Sequence, residues 1–547
     1  MVYIKFLNKT RKVPKKGWVK MKRTFYFFPS VVLFLVMAFF FICCGPKKPD
    51  ITPQQLAQYN LCIKEADAHY NSGCYERLKK AFELYKEALD FPIYKRQNGG
   101  KLMKTSILLG LREKELGFLK DTYLQKASDI IKAYPMLSDC SVYLKIASSI
   151  PRKTVGILGD LIETGSRIIV PYDDIKYDIS DWADLLNERS TTDVFFAYLT
   201  ISYYSPFNYL VKRGPDLEKL GEIFNDFPLM RYKLSVYPEE DPESLTKLVS
   251  DEPNFHEVYF FLGSSALKKR ELIKAEENFF KAYDHFPQSL SLLMSLASIC
   301  FAFEEFEESM GFQEEILAMA PTHRDALLGK AICLSYLGKH EEAAEVCRTM
   351  VRLGEYYMGE AHYWLAWNQN ELEEYESAWT NVQKAKDYLE GYEPVFFLAG
   401  MVAFNQNRLR EAEENLKQAY KINPSNGDAP YYLGKIKSVQ EDWLTAGSYF
   451  EKAGIVYEQN ERSIQRIVEE IKESSFSEQR KKNLLSRKAK QLQKTTLSKV
   501  TAWYNAAAGY YNAGEKEKAI QLAEKAAAHP AFKEKAEELL ELIKKQL

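Results

Sequence analysis

Residues 259–287 read YFFLGSSALKKRELIKAEENFFKAYDHFP, and variants of this stretch recur along the chain. The first small residue of the six copies falls at steps of 34, 34, 35, 34 and 34 residues, at Gly263, Ala297, Ala331, Ala366, Gly400 and Gly434. A second small residue follows twelve positions later in each copy, at Ala275, Ser309, Ala343, Ala378, Ala412 and Ala446. A fixed period near 34 residues indicates an array of helical hairpins.

The spacing of these columns predicts two closely packed antiparallel helices in each copy. Small residues on facing helices let ridges fit into grooves at a short distance between the axes. Large side chains fill the remaining space in several copies, as at Phe279, Leu416 and Phe450. Proline cannot continue a helix, and it ends the second helix at Pro287, Pro321 and Pro424.

The columns resemble the tetratricopeptide repeat. The resemblance is carried first by Tyr259, Leu262, Gly263, Ala266, Ala275, Phe279, Ala282 and Pro287. It is repeated by Phe396, Gly400, Ala403, Ala412, Leu416, Ala419 and Pro424. It implies an all-α solenoid of helical hairpins wound as a right-handed superhelix, which binds other proteins rather than catalysing a reaction.

The repeat pattern divides the chain into five parts. We expect a signal peptide or N-terminal anchor in 1–44, helical repeats in 52–135, and a divergent helical or loop region in 136–253. Six regular repeats should fill 254–459, followed in 460–547 by long helices, a last repeat and a capping helix. Thr52, Pro53 and Gln55 form a capping box that should start the first helix.

The N-terminal segment predicts export. Residues 1–23 carry nine Lys or Arg and no acid, and residues 31–44 are all apolar, which is typical of a secretory signal core. Residues 41–45, FICCG, resemble a bacterial lipobox with Cys44 as the lipidated residue, although Cys43 stays an alternative. An uncleaved anchor in 25–44 is the other interpretation, and both place the repeats on the non-cytoplasmic side of a bacterial cell envelope.

Charge argues against a nucleic-acid partner. Removing the nine basic residues of the leader from the total of 74 leaves 65 against 75 acidic residues, a net charge near −10. A mildly acidic body is atypical of proteins that bind nucleic acid. The predicted partners are therefore other proteins, with membrane attachment through the lipid.

The resemblance also predicts a binding groove, because the first helix of each hairpin lines the concave face of such solenoids. The aromatic and apolar candidates for this surface are Phe260, Met294, Leu328, Tyr363, Trp367, Phe397, Phe404, Tyr431 and Tyr504. Aromatic residues dominate many peptide-recognition surfaces. The alternative is that these rings pack between adjacent repeats.

Two further features leave alternatives open. Residues 479–500 contain eight Lys or Arg and no acid, which indicates a solvated helix face or a surface that docks an acidic protein or lipid headgroups. Six cysteines follow the leader, and they are either small buried hydrophobes or, for Cys333 and Cys347, a disulfide pair.

Motifs for catalysis are absent from the sequence. We find no GxSxG, HExxH, phosphate-binding loop or GxGxxG, and the seven histidines are scattered, so we expect no enzyme, cofactor or metal site. The sequence predicts an envelope-anchored scaffold that binds polypeptides in its groove. A small-ligand-binding accessory of a transporter that uses the same groove is the alternative, and an enzyme with its site in 136–253 is a third hypothesis.

Overall fold

The computed structural model describes residues 51–152, 180–205, 214–354, 356–474 and 476–545. Within these ranges the regular elements are helices, which confirms the all-α prediction. Cys44 and the rest of the predicted leader lie outside the described residues, as does Ser475. The helices are numbered α1 to α25 in chain order within this part of the chain.

The N-terminal helices are less regular than those that follow. They are α1 (Pro53–Ser72), α2 (Tyr75–Ala88), α3 (Lys95–Glu115), α4 (Thr122–Ala133), α5 (Ser141–Ser149), α6 (Ser180–Arg189), α7 (Val194–Tyr204), α8 (Leu217–Phe224), α9 (Pro228–Val236) and α10 (Pro242–Asp251). The predicted capping box is present, because Gln55 N donates to Thr52 Oγ1 at 3.2 Å and Thr52 N donates to Gln55 Oε1 at 3.0 Å. The described part of 136–253 is helical.

The regular repeats are six consecutive helix pairs. Their helices are α11 (Glu257–Lys268), α12 (Leu272–Tyr283), α13 (Leu290–Ala302), α14 (Phe306–Met319), α15 (Arg324–Tyr336), α16 (His340–Leu353), α17 (Met358–Glu371), α18 (Tyr375–Tyr388), α19 (Glu393–Asn405), α20 (Leu409–Ile422), α21 (Asp428–Val439) and α22 (Trp443–Glu473). Each small column predicted from the sequence is buried. The chain closes with α23 (Glu478–Asn512), α24 (Lys516–Ala527) and α25 (Lys533–Lys545).

The facing side chains within a hairpin have complementary volumes. Where the first small residue is glycine, the residue sixteen positions later is large, as in the pairs Gly263/Phe279, Gly400/Leu416 and Gly434/Phe450. Where it is alanine, the partner is smaller, as in Ala297/Gln313, Ala331/Cys347 and Ala366/Val382. A Cβ atom at Gly400 would lie 2.5 Å from Leu416 Cγ, which is too close for any pair of carbon atoms. The two positions therefore share one fixed space between the helices.

We expect Gly400→Ala to lower the free energy of unfolding by about 1–3 kcal/mol, because the added methyl overfills this space. Adding Leu416→Val, which copies the Ala366/Val382 pair, should recover part of that loss. Gly311→Ala is the matched control, since a Cβ there meets no atom within 4 Å and alanine favours a helix by about 0.5–1 kcal/mol. Urea unfolding is measured for the wild type, for Gly400→Ala, Leu416→Val and Gly311→Ala, and for the double variant, and simple additivity of Gly400→Ala and Leu416→Val would contradict the shared-space argument.

A buried ion pair joins the N-terminal helices to the first regular repeat. Arg112 on α3 and Glu257 on α11 are both buried and paired with each other. The Arg112 guanidinium also lies 3.6 Å from the centre of the Tyr232 ring on α9. Glu257 accepts a second hydrogen bond from Tyr75 N at 2.5 Å. Four helices that are distant in sequence thus meet around one arginine.

The long helices α22 and α23 form a hairpin, called the C-terminal hairpin below, whose tip docks onto the first two regular repeats. Ile471 and Leu484 are buried in the same hydrophobic cluster as residues from α1 to α13. Phe476 contacts Phe303 with ring centres 6.2 Å apart. Arg480 forms ion pairs with both Glu276 and Glu305. Since α22 is also the last helix of the sixth repeat, the hairpin connects the end of the array to its beginning.

The docking of the hairpin tip accounts for three of the basic residues in 479–500. Besides Arg480, Lys488 Nζ lies 3.0 Å from a Glu304 carboxylate oxygen. Arg487 donates to the Glu304 carbonyl oxygen at 2.9 Å. These three cations therefore bind acidic residues and carbonyls of the same chain, rather than forming a solvated face.

Replacing Arg480 by Met should weaken the docking of the hairpin tip. Burial raises the pKa of Glu276 to about 7 and also raises the pKa of Glu305, because it disfavours their charged forms. The substitution removes the positive charge of Arg480, which pairs with both carboxylates. Breaking a buried pair in this way costs about 3–5 kcal/mol. Hydrogen exchange of 471–488 should become faster, and the effect should be smaller at pH 5.5 than at pH 8, because protonation removes the unpaired charges.

The control for this substitution is Lys482→Met, which removes an exposed cation from the same helix. Equal exchange rates in the Arg480 and Lys482 variants would show that the ion pairs do not hold the tip.

Candidate functional site

The first column of predicted groove residues is more buried than we expected from the sequence. Phe260, Met294, Leu328, Tyr363 and Phe397 are all buried. Tyr363 packs against Tyr392 and Phe397 against Tyr432 of the next repeat, with ring centres 6.2 and 6.0 Å apart. At these two positions the register three residues before the small column thus points between adjacent repeats, which is the alternative that the sequence left open.

The other four predicted residues are partly exposed. Trp367, Phe404 and Tyr431 lie on α17, α19 and α21 in the central and last repeats. Tyr504 is separate from them, because its ring packs on Phe532 at 5.5 Å among the closing helices. The structure therefore brings Trp367 and Tyr431 close together, and Phe404 contacts Tyr432 with ring centres 5.6 Å apart.

A continuous series of aromatic contacts runs along the second to fourth repeats. Tyr336 stacks on Phe306 at 4.9 Å with an interplanar angle of 10°, and it contacts Phe301 at 5.5 Å. On the other side Tyr336 lies 6.0 Å from Trp364, which lies 6.1 Å from Trp367. Tyr336 keeps 57% of its surface exposed despite these contacts. We call these five rings the aromatic ladder.

The ladder leads into a cavity of about 370 Å³ between the array and the C-terminal hairpin. On the array side it is lined by Trp367, Phe397, Met401, Asp428, Tyr431 and Tyr432. On the hairpin side it is lined by Tyr457, Leu497, Ser498 and Thr501. Three residues predicted from the sequence, Trp367, Phe397 and Tyr431, therefore meet at one cavity. We call the ladder and this cavity together the aromatic groove.

Two charged residues of α21 lie on the array side of the groove, Asp428 in the cavity lining and Lys435 beside two aromatic rings. Asp428 accepts a hydrogen bond from the Tyr457 hydroxyl group, so its charge is partly satisfied within the protein. Lys435 Nζ lies 4.7 Å from the Phe404 ring centre and 4.8 Å from that of Tyr432. Burial lowers the pKa of Lys435, and cation–π contacts of this kind favour its charged form.

Several groove residues were missed in the sequence analysis. Met401 and Lys435 occupy the position directly after the small column, which is also the position of Trp367, and that register could have identified them. Leu497, Ser498 and Thr501 had no comparable signal, since their place depends on how the C-terminal hairpin folds back.

One group of described side chains has the atoms to hold a metal ion. Oxygen or sulphur atoms of Glu276, Cys300 and Glu305 lie within 4.8 Å of one another. The Arg480 guanidinium already pairs with both carboxylates, and burial raises the pKa of the Cys300 thiol. The protein thus supplies its own counter-charge here, and the cluster functions as the anchor of the hairpin tip.

The six cysteines in the described residues are free, so Cys333 and Cys347 do not form the disulfide that the sequence left open. Cys333 instead lies 3.4 Å from Ser309 Oγ as a hydrogen-bond donor. His256 and His285 come together from the two ends of the first regular repeat and stack with ring centres 3.5 Å apart, which the scattered sequence positions did not indicate.

A larger cavity of about 620 Å³ lies among the N-terminal helices and α11. Lys114, one of the residues that line this cavity, donates to the carbonyl oxygens of Ala147, Ser148 and Ile150 at 2.9, 2.8 and 2.6 Å. That cation therefore caps the end of α5, which is a structural role.

No helix within the part of the chain that the structure describes has both the length and the apolar character required to cross a membrane.

Comparison with known proteins agrees with the helix pairing. The tetratricopeptide repeat family matches residues 394–426, which hold α19 and α20. The human protein O-mannosyl-transferase TMTC1 is 23% identical over 205 residues, which are 37% of this chain. The aligned part covers 22% of that relative, so the chain spans about a fifth of its length.

Solved structures with related folds include the APC/C hetero-tetramer Cut9-Hcn1, at 14% identity and a TM-score of 0.37, with 94% of this chain and 82% of that chain covered. A tetratricopeptide repeat protein from Parabacteroides merdae has 17% identity and a TM-score of 0.35, with 53% and 98% covered. YrrB, described as a TPR protein with an unusual peptide-binding site, has 22% identity and a TM-score of 0.27, with 33% and 93% covered.

Solenoids of this repeat commonly serve as protein-interaction scaffolds. The consecutive helix pairs with buried small-residue columns lead to one conclusion: this chain has an all-α solenoid fold of the tetratricopeptide type, and residues 394–426 match the tetratricopeptide repeat family.

Proposed function

We propose that this protein is a non-catalytic scaffold that holds an extended segment of a partner polypeptide in the aromatic groove. The observation that carries the proposal is Tyr336, which is 57% exposed although aromatic rings contact it on both sides. A large ring held in place by its neighbours offers apolar surface to a ligand without losing much conformational entropy on binding.

The position of the groove supports a polypeptide ligand. The ladder and the cavity follow successive repeats, so they present apolar surface at several points along one line. Rigid aromatic side chains supply most of the binding energy in many protein interfaces. The C-terminal hairpin faces the same line and would restrict a ligand to an extended, narrow segment.

A photo-crosslinking amino acid at position 336 should capture a partner polypeptide in native cells, and Trp367→Ala should reduce that product at least fivefold. Trp367 is suited to this test because its side chain is partly exposed, whereas Tyr363 and Phe397 are core residues whose loss would damage the fold.

The crosslinker at position 388 is the control, since Tyr388 is 60% exposed on α18, outside the groove. Equal crosslinking from positions 336 and 388, or a product that survives Trp367→Ala, would argue against the groove as the binding surface.

We further propose that the scaffold is attached to a bacterial cell envelope through a lipid on Cys44. The support is the sequence of the leader alone, with its basic head, apolar core and the FICCG stretch. A bacterial lipoprotein carries three acyl chains, and stable anchoring requires about two membrane-binding signals. Partners of the groove would then be polypeptides on the non-cytoplasmic side of that membrane.

Cys44→Ser should abolish incorporation of labelled palmitate and release the protein from the membrane fraction. Cys43→Ser is the matched control and should leave the labelling unchanged. Labelling that persists in the Cys44 variant would exclude this residue as the acceptor.

The volume of the cavity favours a second candidate function, binding of a small apolar ligand for a transporter. A volume of about 370 Å³ is within the range of small-molecule sites, which is about 300–1,000 Å³. Native mass spectrometry of protein purified from its own host distinguishes the two: a stoichiometric small molecule lost in Trp367→Ala would favour this candidate.

A further inference from the structure

One face of α23 is anchored to the array at both ends. Near the tip, Arg487 contacts Glu308 at 3.5 Å as well as the Glu304 carbonyl oxygen. Near the base, Leu497 and Thr501 line the groove cavity. Residues spaced by three, four and seven positions share a helix face, so all these side chains lie on one stripe of α23.

Lys490 and Lys494 lie on the same stripe between the two anchors. Both are exposed, and neither forms an ion pair with a carboxylate in the described residues. Their neighbours in the basic run differ, because Lys488 pairs with Glu304 and Lys499 pairs with Glu461. These two cations of the stripe are thus left without an ion-pair partner among the described residues.

Lys435 adds a third cation from the opposite wall. It contacts the rings of Phe404 and Tyr432 and has no ion-pair partner among the described residues. Asp428 is the one carboxylate in the cavity lining, and it accepts a hydrogen bond from the Tyr457 hydroxyl group while keeping its negative charge. Three lysines therefore stand against one carboxylate along this space, so positive charge is in excess.

The length of the stripe indicates how many residues of an extended ligand it can contact. Arg487 and Leu497 are ten residues apart, which corresponds to about 15 Å along the helix. An extended chain covers this distance with about five residues at about 3.3 Å each. The aromatic ladder offers apolar surface on the array side of this space.

We propose that the groove selects an acidic segment of a partner polypeptide, about five residues long and containing aromatic side chains. Its rings pack on Tyr336 and Trp367, and its carboxylates pair with Lys490, Lys494 and Lys435. This specificity rests on the proposed function of the groove. Charge complementarity of this kind gives selectivity and salt dependence in addition to the affinity of the apolar contacts.

The test uses fluorescent random copolymers of glutamate and tyrosine, and of lysine and tyrosine, with the full-length protein. Fluorescence anisotropy should show binding of the acidic copolymer, with a Kd at least tenfold lower than that of the basic copolymer. Raising the salt from 50 to 300 mM should weaken binding of the acidic copolymer severalfold.

Lys490→Glu combined with Lys494→Glu should weaken binding of the acidic copolymer at least tenfold. Both residues are exposed, so the fold is preserved, which circular dichroism verifies. The matched control is Lys482→Glu combined with Lys533→Glu, which makes the same charge change at exposed sites outside the stripe and should leave the Kd unchanged.

The outcomes separate this inference from the proposed function. If Trp367→Ala abolishes copolymer binding but the two lysine pairs behave alike, the aromatic groove stands and the acidic specificity is wrong. If the acidic copolymer does not bind to the wild-type protein, the inference is overturned. If vesicles with anionic headgroups bind in place of the copolymer and depend on Lys490 and Lys494, the stripe is a membrane-binding surface and the inference is also wrong.

Discussion

The structure depends on how closely the two helices of each hairpin approach one another. That distance is set by a small residue on the first helix and by the side chain sixteen positions later, which together fill one fixed space. Glycine at Gly400 accommodates Leu416, whereas alanine at Ala366 leaves room only for Val382. The two side chains fill a space of similar volume in every hairpin, so the hairpins stack in one register. This stacking produces a line of exposed aromatic positions.

The C-terminal hairpin faces this line of aromatic positions and encloses a cavity beside it. The array would otherwise be an open surface, since each repeat contacts mainly its neighbours. Arg480 changes this by pairing with two carboxylates that precede it by 204 and 175 residues. The hairpin thereby contacts the first two repeats as well as the last one. The aromatic ladder, which includes Tyr336, leads into the cavity between the array and the hairpin.

The sequence predicts the helical hairpins well because the 34-residue period reflects contacts within each repeat. The capping box at Thr52, the buried small columns and the long helices after residue 459 were all predicted from local pattern. Phe260 and its four equivalents are buried, which fits the alternative that the sequence left open, since a register along one helix does not show what the adjacent repeat covers. The partners of Arg480 could not be predicted either: the acid-free run in 479–500 and the acids at 304–308 are each visible in the sequence, but no periodicity relates them.

The pair formed by Arg112 and Glu257 has a consequence for how the chain acquires its structure during synthesis. The ribosome produces the arginine 145 residues before its carboxylate partner. Until that partner emerges, closing the helices around Arg112 would place an uncompensated guanidinium in an apolar interior, which is strongly unfavourable. Packing of the N-terminal helices around this arginine is therefore favoured once the start of α11 has left the ribosome, and a protein truncated before that point lacks the carboxylate that pairs with Arg112.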